Sequence, residues 1–415
     1  MLITKLNKID NFLDGMNSRK ILLILLIFIL LRLVFLFFYN GNFNSVEDYR
    51  IAINLAQNNS YSLEYSVGAT AIKVPVYPLF LSLFIKLFGS NAKFWIVLFQ
   101  HIFIGLVPLM IYKLGIKTNL KKEFAIASLL FLIHPSYFYY PMVIEVTNIF
   151  IPLTLIWLLF YFDFKNSILS GINSAKYAII LGFFSGILVL TQPIIAPVLF
   201  IFILYLLFKF YKTSFAKFAI LFIIFLVVLS PWIIRNYYTF DKFIPTKSPF
   251  WMNLYEGFMP DNHLNKNFNL ISNSTQNTID SLKNVINDVE MEKFYKPIVI
   301  ETISNHPDLY LQKTFYQMFI YWWIPPRYFD NNSKQFLIVR KLPVIILSIL
   351  FIIGLVQLFK RNKLSATAIL FTLGYFTIFY GLTMVANIRF KLDIEWIELI
   401  AISSIFTSIL RKYNK

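Results

Sequence analysis

Two adjacent acids, Glu47 and Asp48, follow the first long apolar run and open the stretch VEDYRIAINLAQNN. A carboxylate held at a membrane surface is a candidate general base. The plainer reading is that both acids sit at a helix N-terminus, where the macrodipole favours negative charge. Arg50 follows them, and Lys73 precedes Pro75 at the start of a short apolar segment. An arginine and a lysine beside a carboxylate at headgroup level have the chemistry to grip a lipid phosphate. Ordinary snorkelling toward headgroups would also account for each cation. Glu145 lies in HPSYFYYPMVIEVTN. A carboxylate in hydrocarbon costs roughly 2.5–3.5 kcal/mol, so Glu145 is expected to face a polar cavity or a cation, or to cap a helix. Arg235, in SPWIIRNYYTFDKFIP, and Arg389, in NIRFKLDIEW with Lys391, complete the set. His134, near Glu145, reads as a core residue, and Arg32 lies inside the first apolar run, facing either the headgroups or the bundle.

The elements that must position these residues are membrane helices. The chain has 415 residues, 58% hydrophobic and 14% charged, with a mean hydropathy of +0.66. Soluble chains carry roughly a quarter charged residues. The fold class is therefore an all-α polytopic membrane protein. Spanning helices need about 20 apolar residues, and ten are expected, at 20–39, 93–112, 123–141, 146–163, 177–192, 193–209, 215–233, 338–359, 364–384 and 393–410. Gln192-Pro193 breaks one long run into two antiparallel helices. The first run, Lys20 to Tyr39, lacks a small-residue cleavage site and reads as a spanning helix.

Pro75 to Gly89 is too short to cross, since twelve helical residues reach only about 18 Å. Placed as an interfacial helix at 76–88, it lets Lys and Arg alternate to one side, as positive-inside topology requires. Both termini are then cytoplasmic, in what reads as a bacterial inner (plasma) membrane. Two outer segments result, 40–92 and 234–337. The expected organisation is a catalytic core at 1–233 containing the first outer loop, an extracytoplasmic segment at 234–337 and C-terminal spans at 338–415.

The sequence also excludes chemistry. Cysteine is absent, so no thiol nucleophile or thiolate metal site exists. His101, His134, His263 and His306 have no ligand spacing. No phosphate-binding glycine loop or nucleotide fingerprint occurs. The net charge of +17 falls in short loops between apolar runs. It reads as topology and membrane-lipid contact, with no nucleic-acid partner.

Six pieces, in order, resemble the C-type (GT-C) membrane glycosyltransferases of the protein O-mannosyltransferase and aminoarabinose-transferase kind: EDYRIAINLAQ, KVPVYPLFLSLFIKLFG, HPSYFYYPMVIE, SPWIIRNYYTFDKFIP, NHPDLYLQKTFYQMFIYWW and IRFKLDIEW. The resemblance implies a hexosyl- or pentosyltransferase. It would pass a monosaccharide from a polyprenyl-phosphate carrier to a lipid, glycan or protein acceptor at the extracytoplasmic face, with inversion. It makes Glu47 or Asp48 the catalytic carboxylate and Glu145 a second acid of the site. Arg50 and Lys73 match positions near the carrier phosphate, and Arg235 and Arg389 match arginines of the family's outer face. The lipid-linked sugar is a substrate, and no cofactor is required. The acidic pair would accommodate a divalent metal, although a phosphate gripped by cations needs none. The chain departs from the family's pattern at Gln192, where a basic residue is common, and near Asp393 and Trp396, where proline is usual. Segment 234–337 is too short for the large soluble domain of oligosaccharyltransferases, which disfavours transfer of a whole oligosaccharide to asparagine. The competing class is a lipid or sugar transporter or flippase. That class would show inverted repeats and charged broken helices at mid-membrane.

Overall fold

A computed structural model describes residues 2–39, 41–171, 174–259, 268–323, 334–383 and 388–413. Among them all extended secondary structure is helical, apart from one parallel bridge between Ser45 and Ile144. The helices are α1 (Leu2–Asp14), α2 (Ser18–Phe37), α3 (Glu47–Asn58), α4 (Val76–Phe88), α5 (Ala92–Thr118), α6 (Lys121–Ile133), α7 (Pro135–Tyr139), α8 (Thr147–Ser170) and α9 (Ser174–Val189). They continue as α10 (Ala196–Phe240), α11 (Trp251–Glu256), α12 (Asn273–Lys283), α13 (Asp288–Asn305), α14 (Pro307–Trp323), α15 (Lys334–Arg361), α16 (Lys363–Thr383) and α17 (Ile388–Tyr413).

Six helical stretches of the described residues are long and apolar enough to cross a membrane: Ser18–Phe37, Val76–Thr118, Thr147–Ser170, Pro193–Phe240, Val344–Arg361 and Lys363–Thr383. Two of these hold more than one helix. Gly89, at φ +53°, breaks Val76–Thr118 between α4 and α5. A left-handed residue there suits glycine, and it lets α4 fold back so that the Tyr77 hydroxyl donates to Gln100 Oε1 at 2.7 Å. Helix α10 is interrupted at Phe210, at φ −127° and ψ 16°. Its 45 residues would reach about 68 Å if straight. Instead Gln192 and Lys247, on either side of α10, line one cavity. Phe202 and Phe218 also pack on neighbouring rings of α8, Tyr161 and Phe164, at 5.6 and 5.3 Å. The chain therefore descends and returns within α10, as the pair 193–209 and 215–233 predicts.

The expected count of ten spans is not reproduced by length and apolarity. Helix α6 stops at Ile133, because Pro135 disfavours helical geometry at His134. The expected span at 123–141 thus divides into α6, α7 and a 3-10 turn at Tyr140–Met142. Helix α9 is apolar but short, and the expected 393–410 span falls in α17, whose first turns carry Lys391, Asp393, Glu395 and Glu398. These four polar side chains are buried against other helices. By contrast, α2 leaves Leu23, Ile27 and Leu30 more than half exposed, as a lipid-facing helix should. Arg32 of α2 faces the bundle: it is fully buried and donates through Nη1 to the Tyr137 carbonyl at 2.8 Å.

The main core joins α5, α6, α8, α9, α10 and α15 to α17. A second cluster packs α3 and α4 on α2 and the start of α5. A third lies among α11, α12 and α13, within the segment 234–337.

Candidate active site

Three backbone ties pull the 40–92 segment onto the bundle. The Ile144 amide donates to the Asn44 carbonyl at 2.8 Å, next to the Ser45–Ile144 bridge. Val76 N–H donates to Leu190 O at 3.1 Å, and Ser248 N–H to Ala71 O at 3.0 Å. The first tie sets the N-terminus of α3 beside Glu145, the second seats Lys73 above the α9 end, and the third brings in the chain after α10.

The result is a cavity of about 460 Å³. Four carboxylates, Glu47, Asp48, Glu145 and Glu256, and three cations, Lys73, Lys247 and Arg389, line it. Lys73 Nζ stands 3.3 Å from Glu47 Oε2 and 3.8 Å from Asp48 Oδ2. Arg389 Nη1 stands 3.3 Å from Glu145 Oε1, which is buried. Lys73 holds the Glu47 carboxyl down at about 2, outweighing the effect of burial. Burial pushes its neighbour Asp48 the other way, above the ordinary aspartate value, despite Lys73. Burial also raises Glu145, against the pull of Arg389. Lys73 is itself desolvated, but the Asp48 and Glu47 carboxylates more than offset that, and its affinity for a proton rises. Asp48 Oδ2 is buried without a hydrogen-bond partner. Adjacent acids thus acquire opposite proton affinities, the condition under which one stays a fixed charge and the other exchanges a proton.

Of the residues singled out from sequence, Glu47, Asp48, Lys73, Glu145 and Arg389 are brought together here. Arg50 is not. It forms an exposed ion pair with Glu64, and neither residue lines the cavity. Arg50, expected from the resemblance near the carrier phosphate, thus lies apart from the other candidate residues. Arg235 also lies outside the cavity lining. Its Nη1 donates to Thr70 O at 2.9 Å and its Nη2 to Tyr61 O at 3.3 Å. Its guanidinium stacks over Tyr61 and Trp232, 5.2 and 5.0 Å from the ring centroids. It clamps the 40–92 segment to the end of α10. His134 is buried, with Nε2 3.8 Å from Glu395 Oε1 and its ring 4.9 Å from Tyr137. His263 lies outside the described residues.

Sequence reasoning missed several residues. Asp288 accepts from the Thr70 hydroxyl at 2.6 Å, from the Ala71 amide at 3.1 Å and from the Ser248 hydroxyl. Glu292 accepts the amides of Phe250, Trp251 and Met252 at 3.1, 2.8 and 3.0 Å, capping the start of α11. Together they hold Lys247 and Glu256 against the cavity. The two departures noted from sequence meet at its wall: Gln192, which lines the cavity, donates through Nε2 to Asp393 Oδ2 at 3.3 Å. Asp393 Oδ1 accepts from the Thr147 hydroxyl at 2.7 Å. An acceptor carboxylate turns the Gln192 amide nitrogen toward itself. No group of three or more His, Asp or Glu side chains able to hold a metal ion occurs among the described residues.

Residues 72–234 match the family model described as dolichyl-phosphate-mannose-protein mannosyltransferase. No curated protein matches the sequence. Among solved structures, the fold resembles an archaeal oligosaccharyltransferase, AglB from Archaeoglobus fulgidus, in complex with an inhibitory peptide and a dolichol-phosphate. That match has a TM-score of 0.57 and 16% identity, over 94% of this chain and 50% of that one. The Archaeoglobus fulgidus oligosaccharyltransferase tethered to an acceptor peptide gives a TM-score of 0.54 and 16% identity, over 94% and 49%. The chain thus spans about half the length of the solved structures it matches. The family match lies within the membrane-helix part of the chain, and the likeness to the two solved structures is one of fold, an all-helical bundle with long apolar helices.

Proposed function

We propose that this chain transfers a monosaccharide from a polyprenyl-phosphate carrier to a hydroxyl of a lipid, glycan or protein acceptor. The reaction occurs at the extracytoplasmic face of a bacterial inner membrane, with both termini of the chain in the cytoplasm. The observation that carries the reading is Asp48, a buried carboxylate with an unbonded oxygen and a raised proton affinity, in a cavity bordered by cations. A family model named for a lipid-phosphate sugar donor supports the choice of carrier, as does a neighbouring fold solved with dolichol-phosphate.

The chemistry is one displacement. The acceptor oxygen attacks the anomeric carbon as its proton passes to Asp48. The bond from that carbon to the phosphate oxygen breaks, and its electron pair leaves on the carrier phosphate, which becomes a monoester dianion. Attack opposite the leaving group inverts the anomeric centre. Glu47 stays ionised and fixes Lys73 beside the base, and Arg389 holds Glu145 at the wall. The cationic side of the cavity stabilises charge developing on the phosphate, in a site partly closed to water. The amide of Gln192, oriented by Asp393, presents its oxygen to a sugar hydroxyl.

The test is to offer membranes carrying the chain a radiolabelled polyprenyl-phosphate sugar. Label appearing in an acceptor fraction supports the reading. Label that crosses the bilayer still attached to its carrier, with none transferred, would move the assignment to a flippase.

A further inference from the structure

The three cations of the cavity are not equivalent. Lys73 is matched by Glu47 and Asp48, and Arg389 by Glu145. Lys247 also lines the cavity, but among the described residues it makes no ion pair. It is nevertheless held firmly. Trp232 Nε1 donates to the carbonyl of the preceding Thr246 at 2.5 Å, and the following Ser248 is tied to Ala71 and Asp288. The Lys247 ammonium is disfavoured by burial and by Lys73 and Arg389, and the Asp48 and Glu47 carboxylates of the same cavity offset this only in part, without an ion pair. An arriving anion removes that penalty, whereas at Lys73 or Arg389 it must compete with a carboxylate already present.

We infer that Lys247 is the side chain that receives the phosphate of the lipid carrier, while Lys73 and Arg389 serve chiefly to set the carboxylates. The inference rests on the lipid-phosphate donor proposed above and assigns that phosphate a position no sequence signal indicated. The charge balance of the reaction agrees. The donor carries one negative charge as a phosphodiester, and the departing monoester carries two, so an uncommitted cation gains most where charge accumulates. Burial first, and then repulsion from Lys73 and Arg389, bring Lys247 down to about 8 against the opposing pull of Asp48 and Glu47. Phosphate binding should therefore weaken as pH rises past that value and the ammonium of the free protein is lost.

Purified protein in detergent, titrated with farnesyl phosphate and with farnesol between pH 7 and 9.5, tests this. The phosphate's second ionisation, at about 6, is about nine-tenths complete at pH 7 and changes little above it. Lys247→Met is expected to weaken farnesyl phosphate about tenfold or more and leave farnesol unchanged. Lys247→Arg, which keeps the charge and guards against a folding artefact, should retain the affinity and lose the pH dependence, because arginine does not titrate there. Farnesyl phosphate binding to Lys247→Met as tightly as to the wild type would overturn the inference and leave the transferase reading standing. Wild-type protein that binds no farnesyl phosphate would overturn both.

Discussion

Charges at the two ends of the helical bundle are treated differently. At the end away from the cavity, Lys117 pairs with Asp163, Lys122 with Asp10 and Asp14, and Arg361 with Glu123. Arg361 also donates to Thr407, about 27 Å along α17 from Arg389 at 1.5 Å per residue. Each of those cations has a carboxylate, and together they fasten α1, α5, α6, α8 and α15. At the cavity end, Asp48 Oδ2 has no hydrogen bond and only the 3.8 Å approach of Lys73, and the ammonium of Lys247 makes no ion pair among the described residues. Charges paired between helices hold those helices together. Charges left unmatched in a desolvated space are arranged for something that arrives from outside, which is where perturbed proton affinities concentrate.

Several substitutions would break that contrast or sharpen it. The largest effect is expected from Asp48→Asn. Removing a positioned base should lower turnover about 10²–10⁴-fold while the protein still folds. The acid limb of kcat/KM should follow Asp48: transfer falls as pH drops through its raised value, because the base is then protonated. Glu47, held at about 2, stays charged over the same range. Arg389→Ala strands the buried Glu145 carboxylate and should cost about 3–5 kcal/mol of stability by thermal unfolding. Adding Glu145→Gln should restore much of the stability and none of the activity. Arg235→Ala should loosen the 40–92 segment, by about 1–3 kcal/mol for the carbonyls left unsatisfied. Arg235→Lys should rescue it poorly, because the planar stack on Tyr61 and Trp232 is lost. The smallest effects belong to exposed pairs. Arg50→Ala should change stability by about 0–1 kcal/mol and donor affinity by less than about twofold. A large loss of donor affinity there would contradict its position outside the cavity.

Much of this architecture is legible in the sequence. Apolar runs mark most of the long helices, and Gln192-Pro193 marks the turn before α10. The sequence predicts a span over 393–410, but the polar first turns of α17 are buried by helices far away in sequence, which no local pattern reports. The acidic pair, Lys73, Glu145 and Arg389 were each legible as chemistry-bearing residues, and only the fold puts them around one space. Arg50 pairs with Glu64, fourteen residues later and outside the cavity lining, a partner that no helical spacing indicates. Arg235 reads in sequence as an outer-face cation that positive-inside topology does not explain, and the structure places its guanidinium on two loop carbonyls. Lys247 was invisible among many loop lysines. Its position depends on Asp288 and Glu292, some forty residues later, which no spacing rule connects to it.

The most direct measurement is sugar transfer by purified wild-type protein, Asp48→Asn and Glu47→Gln in lipid bilayers, using a radiolabelled polyprenyl-phosphate monosaccharide and proteins matched for thermal unfolding. The account predicts that Asp48→Asn lowers transfer about 10²–10⁴-fold, and that Glu47→Gln reduces it less, through the loss of the charge that holds Lys73. Full transfer by Asp48→Asn would contradict the assignment of the base and, with it, the central claim about this cavity.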